Sequence, residues 1–196
     1  MRMSIVLAVA VIGAAGLTAC DKDAPNAPSA ATPTEKAATP DAHPSATLLS
    51  NVTAAPDFVA KAAAGDRFEV DAAKLALSRS TNKDVTEFAS QMVAAHAQTT
   101  ADIKRAIREA GIDIAPPASL PADLQRKLDD LAKVNAADFD KMFMGSQVDA
   151  HQDALNLMQR YAQDGDVAQI KRFAADTAPM VQRHLSLAKD IRATFK

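Results

Sequence analysis

Cysteine occurs once in the 196 residues, at Cys20, and a lone thiol excludes an intrachain disulfide. Tryptophan is absent and tyrosine occurs once. No stretch alternates apolar and polar residues with the period of two that a half-buried strand requires, which argues against a sheet. The six glycines are scattered, so no glycine-rich loop can cradle a phosphate. Basic residues do not outnumber acidic ones, 22 against 24, leaving no electropositive footprint for nucleic acid. The apolar run from Ile5 to Leu17 falls short of the roughly 20 residues of a comfortable membrane span.

What the amino terminus does contain is a processing signal. Arg2 precedes that apolar run, as the charged and hydrophobic regions of a secretory signal do. The run ends in Leu17-Thr18-Ala19-Cys20, which looks like a bacterial lipobox. Residues 1–19 are therefore expected to be removed and Cys20 to carry acyl chains of the palmitate class. Several chains on one residue anchor far more firmly than a single myristoyl group. The expected partner is a membrane, reached through the lipid, and the expected location is the periplasmic face of the bacterial envelope.

Residues 21–54 hold five of the ten prolines, at 25, 28, 33, 40 and 44, amid alanine, serine and threonine, and no aromatic residue. Such a composition buries too little apolar surface to offset its ordering entropy and reads as a disordered tether. At about 3 Å per residue it could reach roughly 100 Å from the membrane. Residues 55–196 remain for one domain of ordinary size.

That domain reads as all-α. A first helix spans about Asp57–Arg79, with an apolar stripe at Phe58, Ala62, Gly65, Glu69, Ala73 and Leu77. Asn82 and its neighbours offer N-caps for a second, about Lys83–Ala110, whose stripe is Val85, Phe88, Met92, His96, Thr99, Ile103 and Ile107. Gly111 ends it as a C′ glycine. A proline-rich crossover leads to a short helix near Pro121–Lys133. A fourth helix, about Ala136–Gln163, carries Phe139, Phe143, Val148, His151, Leu155, Met158 and Ala162. Asp166 is placed to cap a fifth, with Ile170, Phe173, Thr177, Val181, His184, Leu187, Ile191 and Phe195 on its stripe and a kink expected at Pro179.

The long helices repeat. Glu69–Leu77 (EVDAAKLAL) matches Gln147–Leu155 (QVDAHQDAL) at five of nine positions, and Met92-Val93-x-x-His96 returns as Met180-Val181-x-x-His184. Two copies of one helical hairpin, joined by a long crossover, give a four-helix bundle of ferritin-like topology.

The segments Asp57–Leu77, Val85–His96, Phe139–Leu155 and Phe173–Ala188 together resemble the ferritin-like family 4142 of the bacterial domains of unknown function. Its members are often exported or lipid-anchored envelope proteins. The resemblance covers about residues 56–195 and implies a ferritin-like fold without implying an activity.

Glu69, His96, His151 and His184 each fall on the inward stripe of a different long helix, which is what a metal site in a bundle core requires. They lack the paired Glu-x-x-His of a di-iron carboxylate centre, because valine stands three residues before each histidine. Imidazole suits zinc, copper or iron, and Met92 and Met180, four residues before two of the histidines, would suit copper. In that reading affinity would fall below about pH 6, as the histidines protonate near their ordinary pKa of about 6.5. The other reading is a buried polar network with Glu69 as the imidazoles' hydrogen-bond partner. No catalytic residue and no organic cofactor is assigned. The function so read is that of a lipid-anchored envelope protein whose domain binds or supports a partner, with a metal-binding bundle as the alternative.

Overall fold

A computed structural model describes residues 52–195. The expected signal peptide, Cys20 and the tether as far as residue 51 lie outside the described residues. Among the described residues there are five helices and no strand: α1 (Ala55–Arg79), α2 (Lys83–Ala110), α3 (Ala122–Lys133), α4 (Ala136–Asp164) and α5 (Ala168–Ala193). None is long and apolar enough to cross a membrane.

Local chemistry sets the helix ends. The Asn82 side chain accepts from the backbone N–H groups of Asp84 and Val85, and Asn135 does the same for Ala137 and Asp138. Each satisfies donors that the first turn leaves bare. Gly111 terminates α2 in the left-handed conformation at φ 65°, which glycine adopts without a Cβ penalty. Asp166 differs from expectation. The N-cap of α5 is Val167, which caps nothing with its side chain. Asp166 instead turns to α1, where its Oδ1 accepts from the Ala55 N–H at 2.9 Å and from the Tyr161 hydroxyl at 2.7 Å. Its own N–H donates to the Thr53 carbonyl. The turn between α4 and α5 thus caps α1 from outside. Packed chain reaches back to Val52, which is buried three residues before the boundary expected from the prolines.

The four long helices pack as a bundle, α1 against α2 and α4, α5 against α4 and α2. Directions follow from which residues meet. Phe58, early in α1, stacks on Tyr161, late in α4, at 4.1 Å, and meets Phe173, early in α5. Phe88 of α2 meets Phe143 of α4, both in the first half of their helices. Hence α1 and α4 are antiparallel and α2 and α4 parallel. The crossover between α2 and α4 carries α3, held by Arg79. That guanidinium donates to the carbonyls of Leu131, Ala132 and Val134 and lies over the Phe139 ring.

Two apolar cores fill the ends. One gathers Val52, Phe58, Ile103, Ile107, Tyr161, Ile170 and Phe173. The other gathers Val85, Phe88, Met92, Leu131, Phe139, Phe143 and Ile191. Between them lies a polar layer. Every apolar position expected on the α2 stripe is buried. Leu77 of α1 is 44% exposed and Leu187 of α5 is 36% exposed, against expectation. The buried stripe of α5 steps from Val181 to Leu185 and Ala188, a seven-residue repeat from Val181 to Ala188 that keeps facing a straight neighbour better than the expected steps of three. The helix continues through Pro179.

Candidate metal centre

The polar layer sits about halfway along each long helix, and all four expected residues meet there. His96 (α2), His151 (α4) and His184 (α5) have ring centroids 5.6 to 6.3 Å apart in every pairing. One ligating nitrogen from each lies within 4.8 Å of the other two. Glu69 of α1 reaches in from the fourth helix, with carboxylate oxygens 2.7 Å from His96 Nε2 and 2.9 Å from His151 Nδ1. Glu69, His96 and His151 are buried, whereas His184 is half-buried at the edge of the layer.

Hydrogen bonds fix two of the rings. His96 Nδ1–H donates to Asp66 Oδ1 at 2.8 Å, and His151 Nδ1–H donates to the Gln147 carbonyl at 2.9 Å. This leaves His96 Nε2 facing Glu69, whereas the His151 Nδ1 that meets the Gln147 carbonyl is also the nitrogen beside Glu69 Oε1. His96 Nε2, His151 Nε2 and His184 Nδ1 are all buried without a hydrogen-bond partner, as is Glu69 Oε1. His96 Nε2 and Glu69 Oε2 nevertheless lie 2.7 Å apart as an ion pair.

The electrostatics follow from this crowding. Burial disfavours a charge on Glu69, but His96 and His151 overcome it and hold the carboxyl far below the usual range. Burial also disfavours protonated His96; the Glu69 carboxylate and the hydrogen bond to Asp66 outweigh that and raise its pKa to about 10. His184 goes the other way, pushed down to about 4 by burial and by the neighbouring His151 and His96. The layer therefore holds one imidazole that keeps its proton at neutral pH and one that does not.

Two participants escaped the sequence reading. Asp66 accepts from His96 and also from the hydroxyls of Thr99 and Thr100, at 2.8 and 3.0 Å. It lies three residues before Glu69, on the adjoining turn of one helix face, and that spacing could have found it. Gln147 is fully buried, and neither atom of its side-chain amide has a partner. It occupies the position of Glu69 in the second copy of the repeat, so the alignment already pointed to it. The methionines take other places: Met92 is buried in an apolar core, and Met180 packs against the Leu155, Val181 and Leu185 cluster.

One nitrogen from each of His96, His151 and His184 lies close enough to the other two for the three to hold one metal ion, and Glu69 approaches two of these rings. Asp66 acts on the His96 nitrogen opposite the one that faces Glu69, the place an outer partner of a histidine ligand takes.

Comparison with known proteins gives a consistent frame. Residues 38–191 match the family model of DUF4142, a domain of unknown function. No curated protein matches the chain. Among solved structures the chain is similar to a DUF305 fragment from Deinococcus radiodurans, with a TM-score of 0.61 and 14% identity over 80% of this chain and 100% of that one. At that identity the likeness is one of fold alone.

Proposed function

The chain belongs to the DUF4142 family of domains of unknown function, and on that footing we propose that it is a transition-metal-binding helical bundle, tethered to the bacterial envelope by a lipid on Cys20. The bundle is read as ferritin-like, two related hairpins joined by the crossover that carries α3. The antiparallel pairing of α1 with α2 and the parallel run of α2 and α4 support that reading.

One observation carries the metal reading. Three ring nitrogens, one from each of His96, His151 and His184, lie within 4.8 Å of one another, with the Glu69 carboxylate 2.7 Å from His96 and 2.9 Å from His151 and with Asp66 on the far nitrogen of His96. Coordination to one ion would give the inward imidazole nitrogens, which are buried without a hydrogen-bond partner, a common partner. The expected ligands are His96, His151 and His184 as neutral imidazoles and Glu69 as carboxylate, a set suited to zinc, copper(II) or iron(II). The Cys20 anchor rests on the lipobox and the proline-rich tether.

Elemental analysis of the untagged chain, followed by titration with zinc, copper and iron salts, tests the proposal. One equivalent of metal that disappears in His96→Ala and His151→Ala supports it. No binding above background, with the same substitutions only lowering thermal stability, would leave a polar network and remove the metal.

A further inference from the structure

Gln147 lies wholly inside the bundle, and neither the oxygen nor the nitrogen of its side-chain amide has a hydrogen-bond partner. An unpaired buried polar group is disfavoured relative to an apolar side chain of the same shape. The amide is therefore a defect in the metal-free fold, and its place indicates what would mend it. The Gln147 carbonyl accepts from His151 Nδ1 at 2.9 Å. Four residues apart, the two side chains share one face of α4. Gln147 also stands where Glu69 stands in the first copy of the repeat, and the Glu69 carboxylate reaches both His96 and His151. Glutamine and glutamate have nearly the same length and shape.

The two hairpins differ at this point. In the first, the bare atoms Glu69 Oε1 and His96 Nε2 each have an ion-pair partner. In the second, the corresponding residues are Gln147 and His184. Both amide atoms of Gln147, His184 Nδ1 and His151 Nε2 are all buried without a hydrogen-bond partner there. An uncharged amide cannot balance a cation as a second carboxylate would. It has what a carboxylate lacks, a donor beside its acceptor. The partner that suits it both accepts and donates, as water does.

Resting on the metal reading, we propose that the Gln147 amide binds a small exchangeable ligand, water in the absence of any other, at a coordination position that the four ligating side chains leave open. Iron(II) held by imidazoles and a carboxylate keeps such positions. A buried water makes about three bonds to polar groups that would otherwise be bare, and the amide supplies two of them. Its Nε2–H donates to the ligand, and its Oε1 accepts where the ligand carries a proton. A small anion such as azide takes the place of the water and keeps the contact with Nε2–H. The amide thus destabilises the metal-free fold and serves the loaded one, a trade found where a residue is kept for binding.

Cobalt(II) and azide are the probes, applied to the full chain and to two apolar variants, Gln147→Leu and Gln147→Met. Leucine approximates glutamine in volume and methionine in length, so a misfit of one shape does not decide the outcome. In the metal-free chain the variants remove an unpaired amide, and the melting temperature is expected to rise by roughly 3–10 °C. In the loaded chain one equivalent of cobalt should remain. Azide, followed by the visible absorption of the ion, should then half-saturate at a concentration about 10- to 100-fold higher, the loss of one hydrogen bond to a charged group. An amide that serves the fold alone gives the opposite pair of results, a lower melting temperature in both variants and an unchanged azide affinity. Either result overturns the proposal and leaves the metal site standing. Cobalt lost from both variants but kept by the unaltered chain would also overturn it, by making the amide a ligand of the metal itself. An unaltered chain that takes up no cobalt would sink the metal reading, and this inference with it.

Discussion

Raising the pH from 6.5 to 8.5 should strengthen metal binding about a hundredfold while weakening the metal-free fold. His96 has a pKa of about 10 in the metal-free chain, yet must be neutral to ligate. Throughout that window each ion bound at His96 displaces one proton. Affinity then changes tenfold per pH unit, about 1.4 kcal/mol, or roughly 2.7 kcal/mol over two units. His184, with its pKa near 4, contributes no proton in this range. The stability of the metal-free chain moves in the opposite sense. A histidine whose pKa is raised on folding contributes stability that is fully present below about 6.5 and is lost as pH climbs through about 10. Metal-free melting temperature should therefore fall from pH 6.5 to 8.5, and the increment gained on adding zinc should grow. The assays are competition titration with a chromogenic chelator and calorimetry in two buffers of different ionisation enthalpy, which counts the protons released. The expectation from an unperturbed imidazole, a fall in affinity only below about pH 6, is displaced upward by the two carboxylates that hold His96. Affinity independent of pH across this window, or binding without proton release, would refute His96 as a ligand protonated in the metal-free state.

Asp66→Asn keeps the ligand set but weakens the acceptor behind His96, and should lower metal affinity about 10- to 100-fold, with fewer protons released at pH 7.5. Asp166→Ala removes the acceptor shared by Tyr161 and the Ala55 N–H, and should cost about 1–3 kcal/mol in thermal or urea unfolding without changing metal stoichiometry. Val52→Ala should cost about 1.5 kcal/mol for two lost methyl groups, whereas substitutions in the tether should cost nothing measurable. Cys20→Ser should release the protein from the membrane fraction, and a variant still bound and cut at the same site would dismiss the lipid anchor.

The helices were legible because the 3.6-residue period survives in the sequence wherever one face is buried. In α2, from Val85 to Ile107, each expected stripe position is buried. Where the reading slipped, the cause was phase. On α5 it stepped from Val181 to His184 to Leu187, whereas the buried face steps to Leu185 and Ala188. His184 is consequently half-buried at the rim of the polar layer. The four inward ionisable residues could be named because each lies on a stripe otherwise apolar. Asp66 was missed because it lies one residue off the stripe that carries Gly65 and Glu69, and its role arises only when α2 brings His96, Thr99 and Thr100 against it. Asp166 was misread as a cap for the helix that follows it, since nothing local announces that the start of α1, more than 100 residues earlier, would lie beside it.

The two readings of the buried cluster, polar network and metal site, need not compete. In the metal-free chain a protonated His96 donates through Nδ1 to Asp66 and sets its Nε2 charge 2.7 Å from Glu69. That is a buried ion pair with a second carboxylate behind it, and removing either partner would strand a charge at a cost of about 3–5 kcal/mol. A divalent ion taking the place of the Nε2 proton would meet the same Glu69 carboxylate and the same oriented imidazole, with His151 and His184 turned toward it by the same packing. On the proposed metal reading the network would be the protonated form of the site, and Glu69 would balance a proton in one state and a metal in the other. A direct consequence is that Glu69→Gln should harm both states. It should lower the melting temperature of the metal-free chain at pH 6.5 and also weaken zinc binding, whereas a substitution acting on a network alone would move only the first. If Glu69→Gln destabilises the metal-free chain yet leaves zinc affinity unchanged, the two states do not share that carboxylate, and the metal, where it binds, lies elsewhere.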